Sequence, residues 1–251
     1  MNELIQKIIS RKEYSQLPMK DVELAFEKFD KEKYSDEEKI KLTRKLLREV
    51  FSAFTSQKLL SIKKKDFEWI LRKHISTRER LPYYKEVYRR ILKDFNGNLS
   101  VIDLGAGVNG FSYEYFLGKV DYIAIEAIGQ LVDLMNEHFK RQKFNAKAIH
   151  MSLFESEKIK EIIKKQKKPR VIFLFKTIDS LEMLERNYSK KFLLKIVPLA
   201  DKIVVSFAIR SMGKRQSFRA NRNWLLDFIK DNFKVLDDFE VGGERYIIFN
   251  K

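Results

Sequence analysis

The chain contains no cysteine, which excludes disulfides, thiolate zinc clusters and cysteine nucleophiles. Its three histidines, His74, His138 and His150, stand far apart and argue against a conventional histidine-based catalyst; nothing calls for a metal. Apolar runs long enough to span a bilayer, roughly 18 residues or more, are missing, and residues 1–12 alternate charges where a signal peptide would be apolar. These absences predict a soluble, cytoplasmic protein with no membrane partner. What the chain has in excess is positive charge: 51 Lys and Arg against 35 Asp and Glu, a formal net charge of +16. Such a surplus favours polyanionic partners, because each phosphate neutralised releases condensed counterions. Nucleic acid is the first partner to consider, and a solvated lysine-rich surface is the plainer alternative. High Lys, Glu and Ile with few Gln is also the bias of hyperthermophile proteins, and predicts a thermophile source.

With 251 residues, 44% of them apolar, the chain is long enough for a catalytic domain and a smaller appendage. From the N-terminus to about residue 95, apolar residues recur at three-to-four spacing: Leu4, Ile5, Ile8 and Ile9, then Val22, Ala25 and Phe29, then Ile40, Leu46, Leu47, Val50 and Phe51. This is helical periodicity. Ser35-Asp-Glu-Glu38 has the form of a capping box, and Pro18 marks a break between helices. An all-helical subdomain over residues 1–95 is expected. From about residue 99 the pattern changes to short apolar runs alternating with amphipathic stretches. The runs are Leu99–Leu104, Tyr122–Ile125, Ala146–His150, Val171–Phe175, Ile203–Phe207, Lys234–Val241 and Tyr246–Phe249. Alternation of this kind predicts an α/β domain over residues 96–251, a mainly parallel sheet covered on both faces. Gly242-Gly243 is a hairpin signal, so the last strand is expected to run antiparallel. Seven strands with an antiparallel last one resemble the Rossmann-like layout of class I methyltransferases.

The segment Val101-Ile-Asp-Leu-Gly-Ala-Gly-Val-Asn-Gly110 reads as a strand entering a glycine turn, in which Gly105 and Gly107 let the backbone turn tightly around Ala106 and approach a ligand closely. Gly105, Gly107 and Gly110 also match the dinucleotide fingerprint, so a nicotinamide-dependent enzyme must be weighed. Asp103 discriminates: a carboxylate there would repel a pyrophosphate, whereas the amino group of S-adenosylmethionine attracts it directly or through water. Glu126, about twenty residues beyond the glycines, is placed to accept both ribose hydroxyls, with Ala127 beside it; a surface charge at a strand end is its plain reading. After the third strand, Ser152 is a candidate for the adenine amine, with Met151 and Leu153 packing on the ring. The fourth strand ends in Phe175-Lys-Thr-Ile-Asp179, where the transferred methyl should lie, so Lys176 and Asp179 are the catalytic candidates. Arg210, Lys214, Arg215, Arg219 and Arg222, with Phe218 and Trp224 nearby, suit phosphate contacts and base stacking; a solvated loop leading into a helix is the alternative.

The residues resemble the 16S rRNA methyltransferases of the aminoglycoside-resistance (Arm or FmrO) type, over most of the chain. The resemblance rests on His74-Ile-Ser-Thr-Arg-Glu-Arg80, the Asp103 to Asn109 loop, Phe173-Leu-Phe-Lys176, and Val205-Ser-Phe-Ala-Ile-Arg-Ser-Met-Gly213. It implies a helical RNA-binding subdomain, S-adenosylmethionine as cofactor, and 16S rRNA or the small ribosomal subunit as partner; a monomer is expected. It implies methylation of a base nitrogen near the decoding region, guanine N7 in the resistance enzymes. It places His74 and either Arg78 or Arg80 near the cofactor's methionine carboxylate, a sensible role for a guanidinium, which binds carboxylate bidentately. Where those enzymes continue with Leu-Pro after the lysine, this chain has Ile178-Asp179, which opens cytosine N4 as a second target and a housekeeping role. Two other classes stay open: a methyltransferase of a protein or small molecule, and a non-catalytic RNA-binding protein of the same fold.

Overall fold

The computed structural model describes residues 2–52, 66–209 and 222–251. The N-terminal stretch is helical: α1 Asn2–Ile9, α2 Met19–Glu27, α3 Asp36–Leu47, α4 Phe67–Lys73, α5 Ile75–Arg80 and α6 Tyr84–Leu92. Pro18 stands at the N-cap of α2, and Ser35 caps α3 in a full capping box with Glu38. There follow β1 Leu99–Leu104, β2 Val120–Glu126, α7 Gly129–Gln142, β3 Ala146–His150, α8 Ser156–Lys165 and β4 Arg170–Phe175. The chain ends with α9 Ile178–Leu184, α10 Tyr188–Ile196, β5 Lys202–Ala208, α11 Asn223–Asn232, β6 Lys234–Val241 and β7 Glu244–Asn250.

The seven strands form one sheet in the order β3-β2-β1-β4-β5-β7-β6. Strands β1 to β5 are mutually parallel and β7 is antiparallel to both neighbours, so the expected class I methyltransferase layout is present. The reversal has a local cause. Gly242 and Gly243 both have positive φ, +62° and +82°, and join Val241 to Glu244 in the two-residue turn that suits the right-handed twist of paired strands.

One face of the sheet packs with α6, α7 and the N-terminal helices: Ile8, Phe26, Leu47, Tyr88 and Met135 share a cluster with Val101 and Phe173. The other face packs with α8, α10 and α11 through Ile159, Phe192, Leu193 and Ile229 against Ile102, Ile172 and Ile203. The hydrophobic core thus runs without a break from α1 through to β1 and β4, which holds the helical stretch over the carboxyl ends of the strands. No helix among the described residues is long and apolar enough to cross a membrane.

Candidate active site

A cleft of about 830 Å³, part of it open to solvent, lies at the carboxyl ends of β1, β2 and β4, where an open α/β sheet holds ligands. The order β2-β1-β4 sets its layout. The loop after β1 forms the middle, the loop after β2 one end, and the loop after β4 the other, with α2 and α5 closing it from the helical side.

Gly105 and Gly107 take positive φ, +74° and +58°. A Cβ on Gly105 would meet the Thr177 side chain at 2.7 Å, and one on Gly107 the His74 ring at 3.2 Å. The loop is tied to β2 by Gly105 and Ala106, whose N–H groups donate to Ile125 O. It is tied to Glu126 as well: Gly107 N donates to Oε2 at 2.7 Å, and Ile128 N to Oε1 at 2.8 Å. Burial pushes the Glu126 carboxyl up, against the pull of backbone N–H groups of Ile128, Gly107 and Ala127. Two engaged acceptor oxygens still leave lone pairs for a diol.

At the β4 end, Arg80 is 3% exposed and lines the cleft. It donates from Nε to Tyr246 Oη at 3.1 Å, from Nη1 to Asn109 Oδ1 at 3.0 Å and from Nη2 to Glu244 Oε1 at 2.7 Å. Its face lies on the Phe175 ring, 4.5 Å from the centroid. A guanidinium has five N–H donors, so this anchoring leaves capacity for a ligand carboxylate. Lys176 has φ +57°, a left-handed conformation that costs a non-glycine residue about 1–2 kcal/mol. There its Nζ donates to Glu79 Oε2 at 2.7 Å and lies 3.3 Å from Glu244 Oε2. Burial, with the cations of Arg80 and Lys176, lowers His74 to about 3, so its imidazole is neutral; Nδ1 faces the Ser76 hydroxyl at 3.2 Å.

Of the residues singled out from sequence, His74, Arg80, Gly105, Ala106, Gly107, Glu126, Ala127, Leu153, Phe175 and Lys176 converge on this cleft. The rest stand elsewhere. Arg78 is exposed and points away, because two residues along helix α5 is more than half a turn from Arg80. Asp103, 1% exposed, lies beneath the glycine loop, accepting from Tyr122 Oη and Asn109 Nδ2, both at 2.6 Å. It reaches the cleft through Asn109, which does line it. Met151 and Ser152 do not line the cleft; Ser152 is fully buried and its Oγ accepts from Phe154 N at 3.1 Å. Asp179 also stands off the cleft and forms a two-point ion pair with Arg222, Nε to Oδ1 at 3.2 Å and Nη2 to Oδ2 at 2.5 Å. Arg222 is in turn buried, donating to Ala208 O, and is not a surface cation for a phosphate. Arg210, Lys214, Arg215 and Arg219 lie outside the described residues. Among the described residues no cluster of three or more His, Asp or Glu is placed to hold a metal.

Sequence reading missed Asn109, Glu244 and Asp21. Glu244 is the shared buried counter-ion of Arg80 and Lys176; burial pushes its carboxyl up, but the two cations hold it below its usual range. Thr177 donates to Leu104 O at 3.0 Å and joins the loops after β1 and β4. Asp21, on α2, lines the cleft beside Ser152, and had a signal: it is an acid on a stripe otherwise made of Val22, Ala25 and Phe26.

Burial, opposed by Ser152 and reinforced by Glu126 and Glu155, raises Asp21 from 3.8 to about 7. The folded protein therefore holds this proton more tightly than the unfolded chain. The stability linked to it is complete below pH 3.8 and is lost as pH rises through about 7. The ligand-free native chain should lose stability between pH 4 and 8 relative to Asp21→Asn, by on the order of 4 kcal/mol. Denaturant unfolding of both proteins at pH 4 and pH 8 measures the difference; parallel pH profiles would refute it.

The sequence profile of the family described as ribosomal RNA methyltransferase (FmrO) matches residues 40–225. Among solved structures, the chain is similar to the 16S rRNA methyltransferase RmtF in complex with S-adenosyl-L-homocysteine, at 20% identity and a TM-score of 0.83, covering 100% of this chain and 98% of that one. It is similar to an rRNA methylase from Escherichia coli at 19% identity and a TM-score of 0.78, covering 100% and 99%. It is also similar to the 16S rRNA methylase RmtB at 17% identity and a TM-score of 0.77, covering 100% and 98%. At these identities the likeness speaks to the fold, which is shared along the whole chain.

Proposed function

Since the chain belongs to the FmrO family of ribosomal RNA methyltransferases, we propose that it transfers a methyl group from S-adenosylmethionine to N7 of a guanine near the decoding region of 16S rRNA. The choice of a ring nitrogen over the cytosine N4 amine rests on Asp179. An exocyclic amine needs a base to take its proton, and a base must reach the reacting atom. Asp179 is turned off the cleft into a two-point ion pair with Arg222, and the Lys176 amino group is committed to Glu79 and Glu244. Guanine N7 attacks with its own lone pair and needs no base.

The residues present fit S-adenosylmethionine. The glycine loop allows close approach, Glu126 offers a carboxylate to the ribose, Arg80 offers N–H donors to the methionine carboxylate, and Leu153 and Ile128 supply apolar walls for the base. The cofactor, when bound, supplies a methyl group on a sulfonium. What the chain adds is positioning: fixed geometry alone is worth about 7–11 kcal/mol in favourable intramolecular cases. Arg80, itself pinned by Glu244, Asn109 and Tyr246, and Glu126, pinned by Gly107 and Ile128, are groups whose orientation is set before the ligand arrives. The N-terminal helices and the cations Arg210, Lys214, Arg215 and Arg219 are proposed as RNA contacts, supported by the net charge of +16.

The test is incubation of the protein with labelled S-adenosylmethionine and undermethylated small ribosomal subunits or free 16S rRNA, followed by nucleoside mass spectrometry. Label in 7-methylguanosine is expected. Label in N4-methylcytidine would overturn the choice of base, and label in no nucleoside would overturn the RNA substrate.

A further inference from the structure

The nucleoside end of the cleft carries an acid from outside the α/β segment. Asp21 is 2% exposed, lines the cleft, and its Oδ2 has no hydrogen-bond partner. Buried polar atoms are nearly always paired, and an unpaired carboxylate oxygen inside a ligand cleft is a place where the ligand supplies the donor. The order β3-β2-β1 says which part of the ligand that is. The glycine loop follows β1, Glu126 ends β2, and the Ser152–Phe154 turn follows the edge strand β3. Asp21 lies beside Ser152 and within electrostatic reach of Glu126. It therefore sits beyond the ribose position, on the side away from Arg80. The walls there are Ile128, Leu153 and Phe154, an apolar slot for a flat ring with one polar edge.

Ser152 does not line the cleft; its hydroxyl is fully buried and accepts from Phe154 N. The segment before α2 is seated firmly: Gly129 N donates to Gln16 O at 3.4 Å, and a Cβ on Gly129 would meet the Gln16 side chain at 2.6 Å. Resting on S-adenosylmethionine being the cofactor, we propose that Asp21 accepts the exocyclic amine of its adenine. Helix α2 thereby completes the nucleoside site and sets its preference for adenosyl over deaminated ligands. A carboxylate attracts the amine of adenine and repels the carbonyl oxygen that replaces it in hypoxanthine, so one group supplies both attraction and rejection.

Calorimetric titration of the full chain with S-adenosylhomocysteine and with S-inosylhomocysteine tests this. The native protein is expected to prefer the adenosyl ligand by about 100-fold. Asp21→Ala should weaken adenosyl binding by about 10- to 100-fold and bring the preference below about tenfold. Asp21→Asn keeps the shape, and its amide can donate to the carbonyl, so the preference should narrow in that variant even if the alanine protein does not fold. Equal affinity for the two ligands in the native protein, or an undiminished preference in Asp21→Asn, would overturn the assignment. Failure of the native protein to bind either ligand would instead overturn the cofactor reading on which the assignment rests.

Discussion

Replacing Glu244 with alanine is expected to destabilise the protein by about 3–5 kcal/mol, the cost of breaking a buried ion pair from one side. Glu244 and Arg80 have side chains 3% and 2% exposed and meet at 2.7 Å. The same carboxylate lies 3.3 Å from Lys176 Nζ and accepts from the Ser206 hydroxyl. Without it, two largely buried cations face each other, and only Glu79, which is partly exposed, remains to balance Lys176. Against a typical total of about 5–15 kcal/mol, that loss is severe. Urea unfolding of the native and Glu244→Ala proteins measures it through the midpoint at constant slope. Glu244→Gln, which keeps an acceptor for Arg80 but not the charge, should fall between the two. A loss below about 1 kcal/mol in Glu244→Ala would show that the cations relax into solvent and that Glu244 does not hold Arg80 in place.

Gly107→Val is expected to abolish cofactor binding while leaving the rest of the sheet folded. The position has φ +58°, which a β-branched residue adopts only at a cost of about 1–3 kcal/mol. Its Cβ would already stand 3.2 Å from the His74 ring, and the two γ-methyl groups need further space in the cleft itself. If the loop moves to relieve this, the 2.7 Å bond from Gly107 N to Glu126 is lost and the Glu126 carboxylate loses its orientation. The combined effect should exceed about 100-fold in Kd. Titration with S-adenosylhomocysteine reads the affinity, and circular dichroism with thermal unfolding reads the fold. Binding within threefold of the native protein, about 0.65 kcal/mol, would show that the ligand does not approach this loop.

Asp103→Ala illustrates why a residue's place matters as well as its type. From sequence, its loss removes a charge contact to the ligand. In the structure one carboxylate oxygen also ties Asn109 to Tyr122 beneath the loop, so its removal is expected to release Asn109 and, through it, Arg80.

Local chain chemistry by itself determined a good deal of this protein. Strand periodicity placed all seven strands to within about two residues, since alternation of buried apolar runs and amphipathic stretches is written along the chain. The Gly242-Gly243 pair determined the direction of β7, because two consecutive positive-φ residues allow only a tight reversal. The glycine loop and Glu126 were likewise legible, since they belong to one strand-turn-helix unit and the next strand.

Only the tertiary structure decided which side chains meet. Arg80 and Glu244 are 164 residues apart in the chain, and nothing in the sequence near either names the other. Whether Arg78 or Arg80 faces the cleft depends on how α5 is turned when it packs. Asp179 and Arg222 each carry a charge suited to chemistry or to RNA, and that they neutralise one another follows from the first turn of α9 meeting the residue that precedes α11. Asp21 looked like part of a helical appendage until the continuous core brought α2 to the wall of the cleft. Periodicity is a property of neighbouring residues and survives in the sequence, whereas pairing across space is set by how whole elements bury their apolar faces.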